Sequence, residues 1–332
     1  MDIEKIIWNG LDAVKLETKN YEAIIVPSVG ANLVRLYNKE KGVDILRTPQ
    51  IDEIETFISR PQIFGVPILF PPNRIEDGTY NFGEKKYSFP ITIPSQNNYH
   101  HGILKSQPFV ITNTSITAEI VEVETTFTSD KSNDAIFVDF PHEFSCKITF
   151  TLSDLGMKHT ATFTNESSLP MPLGVGYHTP IRIPFTADGI KSEYKLLLSV
   201  GKRWELSDRG LPTGKLLDLS AEESLLRSSG VTPTGKEIEW ALTDEEMEID
   251  GESFHGAVII DTHKQIRVFY EVDNQFKHWT LWNNGGDVDY ICPEPQTWAI
   301  NAPNLALPTE ITGFKVIESG KSWSGTTKLY IK

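Results

Sequence analysis

A chain of 332 residues with 39% hydrophobic and 23% charged residues can bury a sizeable core, as one large domain or two ordinary ones. Its formal net charge of −14 argues against nucleic acid or an anionic membrane as partner, since both attract basic surfaces, and disfavours a heavily phosphorylated substrate. Cys146 and Cys292 are the only cysteines and imply no disulfide framework. No apolar run approaches about 18 residues, and Met1 to Lys5 lack a basic segment leading into one, so a cytoplasmic protein is expected.

The first 50 residues predict short meandering strands at Ala13 to Leu16, Tyr21 to Val26 and Ala31 to Tyr37. Thr48 to Phe64 reads as irregular. Gly65 to Pro72 holds too many glycines and prolines for a helix and delivers Asn73 and Arg74 from a stiff apolar run. Gly83 to Lys86 predicts a hairpin turn, and Asn97 to Gly102 a polar loop carrying His100 and His101. Period-two alternation is clearest over Ile120 to Thr125 and Cys146 to Leu152, the mark of half-buried antiparallel strands. One short helix is predicted at Ala221 to Arg227, capped by Asp218 or Ser220. Further strands fall at Ala257 to Asp261, Gln265 to Val272, His278 to Trp282, Phe314 to Glu318 and Thr327 to Ile331. More than a dozen strands with almost no helix predict an all-β fold, a large antiparallel β-sandwich. A propeller would need a blade-length repeat, and none is found. With no break in composition, the chain reads as a single domain spanning residues 1–332.

Arg74, His101, His178 and Glu294 stand in turns or rigid segments among these strands. Each alone has an ordinary explanation: a surface ion pair, a solvated loop, a packed strand end, a carboxylate on an edge strand. Together they offer a histidine and a carboxylate for proton transfer with a cation nearby. Pro293 and Pro295 bracket Glu294, removing two backbone donors, so the segment is expected not to pair fully inside a sheet. No phosphate-binding glycine loop, closely spaced metal-ligand set or nucleophile elbow is found, and neither a cofactor nor a metal is expected. Trp279, Trp282 and Trp298 near Glu294 are candidate platforms for the C–H faces of a sugar.

In order along the chain, Phe70-Pro71-Pro72-Asn73-Arg74-Ile75, Asn98-Tyr99-His100-His101-Gly102, Gly176-Tyr177-His178-Thr179-Pro180, Leu211-Pro212-Thr213-Gly214 and Glu294-Pro295-Gln296-Thr297 resemble segments of the aldose 1-epimerase (mutarotase) family, of the galactose mutarotase-like superfamily. That resemblance implies a supersandwich fold and cofactor-free interconversion of the α and β anomers of a free hexose. It implies Glu294 as general base and His178 as general acid, with Arg74, His101, Asn73 and Asp250 binding the sugar. The histidine segment departs from the Asn-His pair of galactose enzymes, which leaves the preferred sugar open. Two alternatives are a hexose-6-phosphate 1-epimerase, which should show more basic residues at the pocket mouth, and a non-catalytic sugar-binding protein or sensor. The expected partner is a small sugar, and the expected state monomer or homodimer.

Overall fold

The alternation of apolar and polar residues is realised, among the described residues, in three large antiparallel sheets beside four two-stranded ones. The structure, a computed structural model, describes all residues except Asn133 and the side chains of residues 134 and 135. Five consecutive strands from Asp2–Trp8 to Val43–Asp44 form a meander. An eight-stranded sheet runs from Val110–Ile116 through Phe144–Ser153, Gly156–Asn165 and Ser322–Ile331 to Tyr194–Leu198 at its other edge. Along Phe144–Ser153 every second side chain is buried, so one face meets the core and the other meets water. One hydrophobic cluster takes residues from all three sheets, from Val14 and Leu36 through Phe144 and Ile148 to Leu281 and Leu329.

The third sheet carries Glu294, and its strands are numbered in chain order: β1 Ile68–Leu69, β2 Gly176–Tyr177, β3 Ile181–Arg182, β4 Val200–Leu206, β5 Pro212–Leu217, β6 Glu239–Asp244, β7 His278–Trp282 and β8 Tyr290–Gln296. Their spatial order is β5-β4-β6-β7-β8-β2-β1, with β3 also paired to β8. Strands distant in sequence thus become neighbours around β8.

The hairpin at Gly83 joins Thr79–Phe82 to Lys85–Ser88. The helix predicted at Ala221 is a 3-10 helix, Glu223–Arg227, closed by a reciprocal cap: the Glu223 amide donates to Ser220 Oγ, and the Ser220 amide donates to Glu223 Oε2. Within Thr48 to Phe64, read as irregular, lies a short helix, α1, Ile54–Ser59, whose Phe57 is fully buried. The first strand, Asp2–Trp8, has no clean alternation and was not anticipated.

Candidate active site

Glu294 sits inside the sheet and not on an edge, contrary to the expectation that its two prolines would keep it from full pairing. On one side β8 pairs with β7, Thr280 facing Glu294; on the other it meets β2 at Gln296 and β3 at Ile291. In an antiparallel ladder successive residues direct their backbone groups to opposite neighbours. Lys277 N donates to Gln296 O on the β7 side, while Thr297 N donates to Val175 O on the β2 side. Odd-numbered residues of β8 therefore face β2 and β3; by their shared register Pro295 stands opposite Tyr177 of β2 and Pro293 opposite Thr179, in the interval between those strands. That interval is where the chain leaves the ladder at His178. The prolines leave the β7 ladder intact, and in the register shared by β2 and β3 the residue opposite Glu294 is His178.

Register decides which side chains share the cleft. Directly opposed residues lie on one face of a sheet, so Glu294 shares a face with Thr280, and Trp282 with Glu239 across β6. All four line a cavity of about 140 Å³. Trp279 and Trp298, named as possible sugar platforms, are instead buried in the hydrophobic core.

The second wall comes from the segment after β1. Asn73, at φ 56°, is buried; its Nδ2 donates to Thr280 Oγ1 at 3.0 Å, and its Oδ1 accepts from the Arg74 amide at 3.0 Å. Gln296 Nε2 donates to the same threonine oxygen at 2.9 Å, tying β8 to this wall. The His100–Gly102 loop is clipped on by the His101 amide donating to Asn73 O and the Ile103 amide to Phe70 O. Gly102 has φ 74°, and a Cβ there would lie 2.5 Å from the Phe70 backbone, so this close approach requires glycine. The result is a perpendicular contact between the rings of His101 and His178, with centroids 5.1 Å apart.

At the cleft floor His178 Nε2 lies 3.3 Å from Glu294 Oε1, and both side chains are almost wholly buried. Burial pushes the Glu294 carboxyl well above the usual carboxylate range; Arg74 opposes this rise and Glu239 adds to it. Burial also lowers His178 to about 3 and holds His101 well below the ordinary imidazole value. Loss of water therefore disfavours charge on either partner, and the pair is best described as sharing one proton. Glu294 Oε2, His178 Nδ1 and His101 Nδ1 are buried without a protein hydrogen-bond partner, three polar atoms gathered around one cavity.

Five of the six residues singled out in sequence meet here: Glu294, His178, Arg74, His101 and Asn73. Asp250 does not. Asp250 and Gly251, both at positive φ, form the two-residue turn between Met247–Ile249 and Glu252–Phe254, and Asp250 Oδ1 accepts from Arg267 Nη1 at 2.8 Å. Asp-Gly between short strands is a hairpin signal, and it outweighs the loose family match. Sequence reasoning missed Glu239, which pairs with Arg74 at 3.1 Å, together with Thr280, His100, Arg60 and Gln62. Only the alternation across β7 hinted at Thr280 beside Trp282; the others depend on strand order. Among the described residues no group of three or more His, Cys, Asp or Glu is arranged to hold a metal, and no helix is long and apolar enough to cross a membrane.

An all-β supersandwich with a buried imidazole–carboxylate pair at the floor of a small polar cleft defines a galactose mutarotase-like protein. The chain belongs to the aldose 1-epimerase family, whose profile matches residues 12–330. A galactose mutarotase-like protein from Clostridium acetobutylicum is 40% identical and superposes with a TM-score of 0.97, over 99% of this chain and 98% of that one. Galactose 1-epimerase from Lactobacillus acidophilus is 14% identical, with a TM-score of 0.71 over 100% of this chain and 98% of that one. A galactose mutarotase-like protein from Lactobacillus casei is 20% identical, with a TM-score of 0.68 over 96% of this chain and all of that one. The last two similarities establish fold alone. By family, the protein is an epimerase.

Proposed function

We propose that this protein interconverts the α and β anomers of a free, unphosphorylated aldohexose without a cofactor, with Glu294 as general base and His178 as general acid. The observation that carries the proposal is their separation, 3.3 Å in a buried cleft. Anomerisation requires proton transfer at two oxygens, O1 and O5, that share one carbon, so the two groups serving them must be neighbours.

Glu294 takes the proton from the O1 hydroxyl. The C1–O1 bond becomes a carbonyl as the C1–O5 bond breaks, and His178 supplies a proton to O5. Rotation about C1–C2 in the open aldehyde presents the other carbonyl face, O5–H adds back, and each proton returns to its donor. Burial raises the Glu294 carboxyl and lowers His178, so the proton that the pair shares rests on the carboxyl, and its transfer to His178 across 3.3 Å readies Glu294 as base and His178 as acid. His101, held neutral, and Arg74 are placed to bind sugar oxygens and to stabilise negative charge developing on them. Trp282 lies with its ring 5.3 Å from that of His178 and offers an apolar face to the sugar.

The test is polarimetry or NMR exchange with fresh α-glucose and α-galactose. Glu294→Gln and His178→Asn should each reduce the enzymatic rate about 10²- to 10⁴-fold, and the double variant should lose little more, because the two act as a unit. Undiminished anomerisation in both single variants would overturn the assignment of roles.

A further inference from the structure

Seven of the nine arginines form an ion pair with a carboxylate. Arg60 and Arg182 are the two others among the described residues, and Arg60 lines the cleft. In a chain carrying a net charge of −14, with 45 acidic side chains available, an arginine left unpaired beside a reaction site is an uncommon arrangement. Arg60 ends α1, where its amide donates to Thr56 O at 2.7 Å, and the segment that bears it is anchored from beneath. Phe57 and Phe64 are fully buried and pack edge to face at 5.9 Å, and Pro61 between them is buried as well. Arg60 therefore stands at the rim on a fixed base. Two residues on, Gln62 also lines the cleft, and its Oε1 is buried with no hydrogen-bond partner. A buried acceptor without a partner is costly, and a donor on a ligand entering the cleft would satisfy it once the Gln62 side chain turns toward that ligand.

We infer that Arg60 and Gln62 are specificity-determining residues, Gln62 accepting a hydrogen bond from a ring hydroxyl and Arg60 pairing with a carboxylate on the sugar, so that the preferred substrate is an aldose of the hexuronate type. This rests on the epimerase function proposed above and names its substrate class. Within the cleft Arg74 is already neutralised by Glu239, and His178 and Glu294 share a proton; Arg60 is the one cationic group left over, and it balances a single negative charge. A phosphate dianion would bring two charges into a strongly acidic protein. A carboxylate on C5 projects away from C1, so it reaches a wall of the cleft and leaves the proton-transfer pair clear. Arginine matches a carboxylate with two parallel N–H donors, which lysine cannot do.

The experiment compares kcat/KM for anomerisation of glucuronate, glucose and glucose 6-phosphate by the full chain and by Arg60→Ala, Arg60→Lys and Gln62→Ala, with calorimetric binding of the same three sugars. The wild-type protein should prefer glucuronate to glucose. Arg60→Ala should lower that preference about tenfold to a hundredfold, mainly through KM, with Arg60→Lys restoring part of it, and Gln62→Ala should weaken both sugars. A preference for glucuronate that Arg60→Ala leaves unmoved would overturn the inference, and glucose 6-phosphate outperforming glucuronate would overturn the choice of carboxylate. The binding arm separates this inference from the reaction itself. Tighter binding of glucuronate that Arg60→Ala abolishes supports the inference even if no sugar is anomerised; equal binding overturns it even if glucose turns over.

Discussion

Glu239 lies outside the proposed proton-transfer pair, yet its charge acts on Glu294. Its carboxylate lies across β6 and β7 from Glu294 and raises the Glu294 carboxyl, while Arg74, which it pairs with, lowers it. Replacing Glu239 with Gln removes the negative charge that favours proton binding at the pair. The pH profile of kcat/KM should then move to lower pH, because each proton leaves the pair more easily; a profile that stays in place or moves up would show that Glu239 acts only as a brace for Arg74. Thr280 is a second such residue. Its hydroxyl accepts from both Asn73 and Gln296, so Thr280→Val strands two buried amides at a cost of about 1–3 kcal/mol each. A drop in thermal midpoint accompanied by raised KM is the expected outcome.

The site depends on two irregular elements more than on its strands. One is the interruption between β2 and β3, which releases His178 from the ladder at the point where β8 carries its prolines. The other is the His100–Gly102 loop, clipped to the Asn73 wall at a glycine of positive φ. Gly102→Ala would force a Cβ against the Phe70 backbone in a strained conformation and should cost about 2–4 kcal/mol, read as a shift in denaturant midpoint, with loss of activity as His101 moves. An unshifted midpoint would mean that the loop yields freely. Both elements were visible in the sequence as glycine and proline clusters around histidine and glutamate. What they pack against was not, since a turn signal reports local backbone and not its neighbour.

For the molecule as a whole, burial of uncharged histidines predicts lability toward mild acid. His159, His178 and His278 are held at about 3 and His142 at about 4, in each case chiefly by burial, against an ordinary value near 6.5. Below pH 6.5 the unfolded chain binds protons that the folded chain refuses, so stability falls as pH drops, by up to about 1.4 kcal/mol per pH unit for each histidine. The raised carboxyls of Glu294, Asp244 and Asp139 work in the opposite direction above their unfolded values, but they are outnumbered by the lowered histidines, to which His100, His101 and His255 also belong. Urea unfolding between pH 7.5 and 5, above the range of ordinary carboxylates, should show this decline. His159 lies between Phe150 and Tyr177 with neither ring nitrogen hydrogen-bonded, so His159→Phe should flatten the slope; a flat wild-type curve would contradict the account.

Sequence alone determined the all-β class, most strand positions, and the Glu294, His178, Arg74, His101 and Asn73 set, because period-two alternation and proline or glycine punctuation are local and the family segments are short and ordered. It misplaced Asp250, where a family match competed with an Asp-Gly turn and the turn decided. Tertiary structure alone decided that Glu294 lies inside the sheet, that Glu239 and Thr280 share its face, and that Arg60 and Gln62 line the cleft. The first two follow from which strands become neighbours, and the third from where buried Phe57 and Phe64 seat the segment between them; in both cases the arrangement is set by burial of a common core, which no local stretch of residues encodes.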